Sequence, residues 1–285
     1  VKRKGDKRYA IRDKRYAISN MSAVIIEGRL VHYEAIGRGR PVIFIHGWLG
    51  SWRYWMSAMD DLSERYRAYA LDLWGFGDTD RRQDGYSLTA YVDLVEQFIE
   101  EMGISRAVLV GHGLGGVVAI RLAARAPERV DRLVAVSTPL VGTAIAPPLA
   151  TFSNHHNGEW ISRILGRRQA SAYPEVQMEA NKTDLNAIIH SVQTVWTEDL
   201  RPNLESFTFP VLLVYGKNDP LIRPPEDDWV NQWEQNIYLV SLEDSFHFPM
   251  LDEPPRFTRL LRQFLALGSG VNALELRDEW RRRTR

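Results

Sequence analysis

The stretch Val108-Leu109-Val110-Gly111-His112-Gly113-Leu114-Gly115-Gly116 decides the architecture. Its opening apolar residues read as a strand buried on both faces. The glycines at 111, 113, 115 and 116 then allow a turn too tight for most side chains, and Leu114 opens an apolar period that continues as a helix over 114–126. The layout is Gly-x-Ser-x-Gly with glycine standing at the serine position. A strand that turns at once into a helix belongs to a sheet whose neighbours are built the same way.

They are. Apolar runs of strand length recur at 42–45, 69–71, 107–110, 133–136, 211–214 and 237–240, and 24–26 with 30–33 reads as a hairpin around Glu27-Gly28-Arg29. Between them lie helical periods at 52–65, 88–102, 114–126 and 256–267. Alternating strands and helices predict an α/β fold, a mostly parallel eight-stranded sheet with helices on both faces. In such sheets the chemistry sits beyond the carboxyl ends of the strands.

One span breaks the alternation. From Pro139 to Pro202 there is no convincing strand, and amphipathic pieces such as Trp160-Ile161-Ser162-Arg163-Ile164-Leu165 take over. The expected division is a first core segment at 21–138, a helical cap at 139–203 and a second core segment at 204–267, the cap lying over the site to exclude water and shape a pocket. Residues 1–20 hold a tandem repeat, Asp6-Lys7-Arg8-Tyr9-Ala10-Ile11 and Asp13-Lys14-Arg15-Tyr16-Ala17-Ile18. It has too little apolar content to pack and is expected to be a disordered extension, with Met21 the ordinary initiator; a basic arm for nucleic acid or a membrane is the other reading. Residues 268–285 are expected to be a charged tail, with a short terminal helix over 275–285.

Composition sets limits. The 36 Lys plus Arg balance 36 Asp plus Glu, so no overall field draws nucleic acid or anionic membrane. With no cysteine there are no disulfides, thiolate catalysis or cysteine-ligated metal. No apolar run reaches the roughly 18 residues of a membrane span. A cytoplasmic protein with a small-molecule substrate, no nucleic acid and no integral membrane segment is expected; oligomeric state is left open.

Four loops at strand ends could carry chemistry: His46-Gly47-Trp48-Leu49-Gly50-Ser51, Asp72-Leu73-Trp74-Gly75-Phe76-Gly77-Asp78, the turn at Gly113, and the pair Gly216-Lys217-Asn218-Asp219 with Ser245-Phe246-His247-Phe248. Together they resemble the α/β-hydrolase superfamily, in its capped esterase, epoxide-hydrolase and haloperoxidase-like branch, over roughly 24–267. The resemblance implies an oxyanion hole from the backbone amides of Trp48 and Leu114, and a triad in the chain order nucleophile, acid, histidine. Positions 113, 219 and 247 keep that order. Asp219 would then fix the tautomer of His247, the general base. His46, Gly47, Trp74, Phe76, His112 and Phe248 are expected around the substrate pocket, and Asp72 is expected to anchor its own loop.

Other readings are weaker. His155 and His156 lack partners at zinc-like spacing, so no metal is expected. The glycines at 111–116 open a middle unit rather than the first, with helix where an acidic strand tip would stand, so no dinucleotide cofactor is expected.

Glycine cannot attack a carbonyl, so an acyl-enzyme cannot form from position 113. The resemblance then implies a hydrolase of small esters whose activity is absent or residual through His-Asp activated water, or a ligand-binding relative without turnover. An epoxide-hydrolase or dehalogenase parent stays open, since those reactions need a carboxylate at the same position.

Overall fold

The computed structural model describes residues 22–153, 160–232 and 236–266. The tandem repeat, His155, His156 and the C-terminal tail lie outside the described residues. Eight strands form one sheet in the order β1-β2-β4-β3-β5-β6-β7-β8. They are β1 (Ser22–Ile26), β2 (Arg29–Gly37), β3 (Arg40–Ile45), β4 (Tyr66–Leu71), β5 (Ala107–His112), β6 (Val130–Val136), β7 (Val211–Gly216) and β8 (Ile237–Leu242). The β1-β2 and β2-β4 pairs are antiparallel and the others parallel. The eight-stranded, mostly parallel sheet is the one expected.

The strands follow from their side chains. Every residue of β5 and β7 is buried, which only a strand covered on both faces allows. The covering helices include α1 (Met56–Leu62), α2 (Leu88–Glu101) and α3 (Leu114–Arg125). In α2 the Ser87 hydroxyl accepts from the Ala90 amide as N-cap. Leu88, Tyr91, Val92, Val95, Phe98 and Ile99 form its buried stripe, and Gly103 at φ 66° lets the chain leave the helix.

The helix expected over 52–65 is shorter. Residues Trp52–Trp55 form a 3-10 turn before α1 begins. Trp52, Tyr54 and Trp55 are all buried, and at 3.6 residues per turn Tyr54, two residues from Trp52, would face away from it. The tighter turn lets all three go inward.

Between β6 and β7 the chain is helical, with α4 (Trp160–Leu165), α5 (Pro174–Ala180), α6 (Leu185–Trp196) and shorter turns at Pro147–Ala150, Arg167–Ala170 and Arg201–Glu205. Strand pairing there is limited, among the described residues, to the single bridges Val141 with Asp199 and Ile145 with Ile222. The last helix among the described residues, α7 (Pro254–Leu265), packs Phe257, Leu260, Leu261 and Phe264 inward. The order reverses at β3, which lies between β4 and β5, and in open α/β sheets ligands bind outside the carboxyl ends of the strands at such a reversal. The loop at His46 and the turn at Gly113 meet there.

Candidate active site

At the end of β5 the backbone of Gly113 takes φ 51° and ψ −114°, a region that L side chains rarely occupy. Its amide donates to the Val136 carbonyl at 2.9 Å, which locks the turn onto β6. The four glycines of the stretch serve different ends. A Cβ on Gly111 would lie 2.2 Å from the Gly115 carbonyl oxygen, one on Gly115 would lie 2.2 Å from that of Ile45, and one on Gly116 would lie 1.9 Å from Thr138 Oγ1. At Gly113 the nearest atom to such a Cβ is Cε3 of Trp48 at 3.5 Å, then Cζ3 at 3.6 Å and Gly47 Cα at 3.7 Å. Three of the four positions are closed to a side chain by packing; position 113 has room for one.

The loop after β3 supplies the opposite wall. The His46 ring is fully buried; its Nδ1 is 2.9 Å from the Gly47 carbonyl and its Nε2 accepts from the Leu73 amide at 2.9 Å. A carbonyl only accepts, so the ring is the neutral Nδ1–H tautomer, and burial holds its pKa down. With the Gly47 carbonyl drawn to His46, the amide across that planar peptide, Trp48 N–H, points the other way. Neither this amide nor that of Leu114, at the N-terminus of α3, has an acceptor among the described residues.

The loops after β7 and β8 bring a carboxylate to an imidazole. His247 Nδ1 lies 3.1 and 3.0 Å from the two oxygens of Asp219. The same carboxylate accepts from the amides of Leu221 at 2.8 Å and Ile222 at 3.2 Å. Burial opposes ionisation of Asp219, but the His247 ring and the two amides outweigh it and hold the carboxyl below its ordinary range. Gly216 lets the two loops approach: a Cβ there would sit 2.0 Å from the Phe246 carbonyl oxygen. The Asn218 amide then donates to Ser245 O at 3.0 Å, and the Phe246 amide to Asp252 at 2.8 Å.

The remaining expected residues have firm places. Asp72 accepts from the amides of Trp52 at 2.9 Å and Asp78 at 3.0 Å, and Gly75 and Gly77 have φ 81° and 54°, so that loop is anchored as expected. Trp74 and Phe76 are buried behind it, Phe76 edge-on to His46 at 5.2 Å. Phe248 packs against His247, His112 and Tyr173 at 4.9, 5.2 and 4.8 Å between ring centres. His112 is fully buried, and its nitrogens meet Tyr54 Oη at 3.1 Å and the His247 carbonyl at 2.8 Å. His46 and His112, expected at the pocket, thus commit both ring nitrogens to protein groups.

Some site residues carried no signal in the sequence. Trp48 Nε1 donates to Ser191 Oγ of α6 at 2.9 Å, and the Asp184 amide at the start of α6 donates to Gly75 O at 2.8 Å. Tyr173 Oη donates to Asp252 at 2.8 Å. Each is a lone residue in its own segment, and only the fold brings the partner near. His32, Asp72 and Asp78 form a group whose ligand-type atoms lie within 4.8 Å of one another. It already carries positive charge: the Lys182 ammonium sits on Asp78 at 2.8 Å. His32, although burial opposes its proton, is raised to about 9 by hydrogen bonds to Asp72 and Glu34.

Comparison with known proteins agrees with this fold. A model of the alpha/beta hydrolase fold family matches residues 40–158. A pimeloyl-acyl-carrier-protein methyl ester esterase of Nitrosomonas europaea is 30% identical over 248 residues, spanning 80% of this chain and 96% of the relative. One of Nitrosospira multiformis is 27% identical over 257 residues, spanning 82% and 97%. Among solved structures, a serine-to-glycine mutant of the N-acyl homoserine lactonase AidH complexed with N-hexanoyl homoserine lactone superposes with a TM-score of 0.75. The identity there is 21%, over 87% of this chain and 98% of that one.

Proposed function

Since this chain belongs to the α/β-hydrolase superfamily, we propose that it is an ester hydrolase by descent, acting on a small ester or related acyl substrate, in which Gly113 removes the nucleophile. The observation that carries the reading is the room at Gly113. A Cβ meets nothing closer than 3.5 Å at that position alone among the four glycines of the turn. The reading is supported by the Asp219–His247 pair, whose imidazole lies 4.6 Å from the ring of the adjoining His112, and by the amides of Trp48 and Leu114, which have no acceptor among the described residues. The esterases at 30% and 27% identity support an ester as the substrate class.

In this mechanism the Trp48 and Leu114 amides stabilise the developing oxyanion, aided by the dipole of α3. Asp219 accepts a hydrogen bond from Nδ1–H of His247 and leaves Nε2 free as base. Without a hydroxyl at 113, that base can act only on water, which leaves residual hydrolysis: triad knockouts retain roughly 10³- to 10⁴-fold over the uncatalysed rate. The helices between β6 and β7 act as a cap, held over the site through Ser191 and Asp184, and exclude bulk water. A second reading, favoured by the same missing hydroxyl, is a ligand-binding protein that holds an acyl compound without turning it over.

Steady-state hydrolysis of p-nitrophenyl esters of graded chain length separates them. We expect weak turnover in the parent, lost in His247→Ala, and a gain of at least about 10³-fold in Gly113→Ser. Ligand-dependent thermal shifts with no turnover in the parent would favour binding. Silence of Gly113→Ser on every ester would reject the ester-hydrolase reading.

A further inference from the structure

A buried polar chain links the three loops of the site, and its direction is fixed by chemistry. The Gly47 amide meets Tyr54 Oη at 2.5 Å, Tyr54 Oη meets His112 Nδ1 at 3.1 Å, and His112 Nε2 meets the His247 carbonyl at 2.8 Å. An amide only donates and a carbonyl only accepts. The Tyr54 hydroxyl therefore accepts from the Gly47 amide and donates to His112 Nδ1, and His112 Nε2–H donates to the His247 carbonyl. Every donor and acceptor along the chain is used once. His112 is consequently the neutral Nε2–H tautomer, the opposite of His46, which carries its proton on Nδ1 toward the Gly47 carbonyl.

Gly47 is thus gripped from both sides, its N–H by Tyr54 and its C=O by His46. The grip is close, since a Cβ on Gly47 would lie 2.8 Å from His112 Nδ1. The other end of the chain holds the backbone of the histidine whose ring faces Asp219. An apolar side chain could fill the space of the His112 ring, which also packs against Phe248 and Tyr54. A fully satisfied buried polar chain instead fixes one arrangement among several that apolar packing would tolerate.

We propose that Tyr54 and His112 are positioning residues of this site: they act through the Gly47 amide and the His247 carbonyl to set the oxyanion loop and the general base relative to each other. The proposal rests on the hydrolase reading of Asp219 and His247, and its test has a readout that does not need turnover. Burial and the neighbouring His247 hold the His112 pKa far below its ordinary value, so the ring stays neutral.

The test follows the histidine rings by ¹H–¹⁵N NMR in the parent chain and in Tyr54→Phe, His112→Leu and His112→Gln. In the parent, His112 is expected as the neutral Nε2–H tautomer from about pH 5 to about pH 9. The deshielded Nδ1 proton of His247, on Asp219, is expected to shift in Tyr54→Phe and His112→Leu. In His112→Gln it is expected near its parent position, because the glutamine amide can still donate to His247 O. In a Gly113→Ser background, His112→Leu and Tyr54→Phe are expected to lower kcat by about 10- to 100-fold with KM little changed, as for a small misplacement of reacting groups. Glutamine is expected to recover most of the loss. A His112 proton on Nδ1, or a His247 signal unmoved in folded His112→Leu and Tyr54→Phe, overturns the proposal. Silence of Gly113→Ser itself would instead count against the ester-hydrolase reading, with the ring signals still deciding the relay.

Discussion

Position 113 differs from its neighbours in what it asks of a residue. At 111 and 115 glycine is required by backbone atoms 2.2 Å from any Cβ, and alanine there is expected to cost enough to unfold the chain or rebuild the turn. At 113 the constraint is conformational. A φ of 51° strains any L residue, so Gly113→Ser is expected to destabilise the protein by about 1–3 kcal/mol without rearranging it. Chemical denaturation measures this: a midpoint shift at constant slope fits strain alone, whereas loss of cooperativity in Gly113→Ser to the degree seen in Gly115→Ala would contradict the distinction. The motif spacing made 113, 219 and 247 legible in the sequence, because strand ends and glycines leave local marks. Tyr54 was not legible, since its partners lie 7 and 58 positions away and only the fold brings them together.

At the scale of elements, the helical segment between β6 and β7 is tied to the core by a closed ring of four charges. Arg53 pairs with Glu179 at 2.8 Å, Glu179 with Lys182 at 3.5 Å, Lys182 with Asp78 at 2.8 Å and Asp78 with Arg53 at 3.9 Å. Arg53 and Asp78 belong to the core loops, Glu179 and Lys182 to α5 and the turn after it. If α5 lifts, each side keeps one internal pair, so separation strands no charge. The ring therefore holds the segment without making release prohibitive. Glu179→Gln is expected to raise amide exchange in 174–180 and leave β5 and β7 unchanged. Unaltered exchange in 174–180 would show the ring to be incidental. The helical character of this span could be read from its amphipathic pieces, but the ring could not, because charged residues on a helix are ordinarily a solvated face. The helix expected at 52–65 is shortened for a related reason: Trp52 and Tyr54, both buried, would lie on opposite faces of an α-helix.

For the whole molecule, the sheet was readable because buried parallel strands announce themselves as unbroken apolar runs, and even the antiparallel hairpin at one edge carried its Glu27-Gly28 turn. What holds that edge to the site was less visible. His32 of β2 reaches Asp72 at 2.9 Å. Although burial opposes protonation, the hydrogen bonds to Asp72 and Glu34 raise its pKa from 6.5 to about 9. A folded-state pKa above the unfolded one means that stability is fully present below about 6.5 and is lost as pH rises through about 9. Thermal unfolding is expected to show Tm declining across that window, with a flatter profile in His32→Gln; equal slopes in both proteins would remove the pair from the account.

Under the proposed function a single hydroxyl separates this site from a working acyl-transfer centre. Intact-mass measurement after exposure to a fluorophosphonate, which marks activated serines, tests it without choosing a substrate. One phosphonyl adduct per chain is expected in Gly113→Ser, mapped to position 113 and lost on adding His247→Ala, and none in the parent. An adduct of equal yield in the Gly113 parent, or none in a folded Gly113→Ser protein, would contradict it.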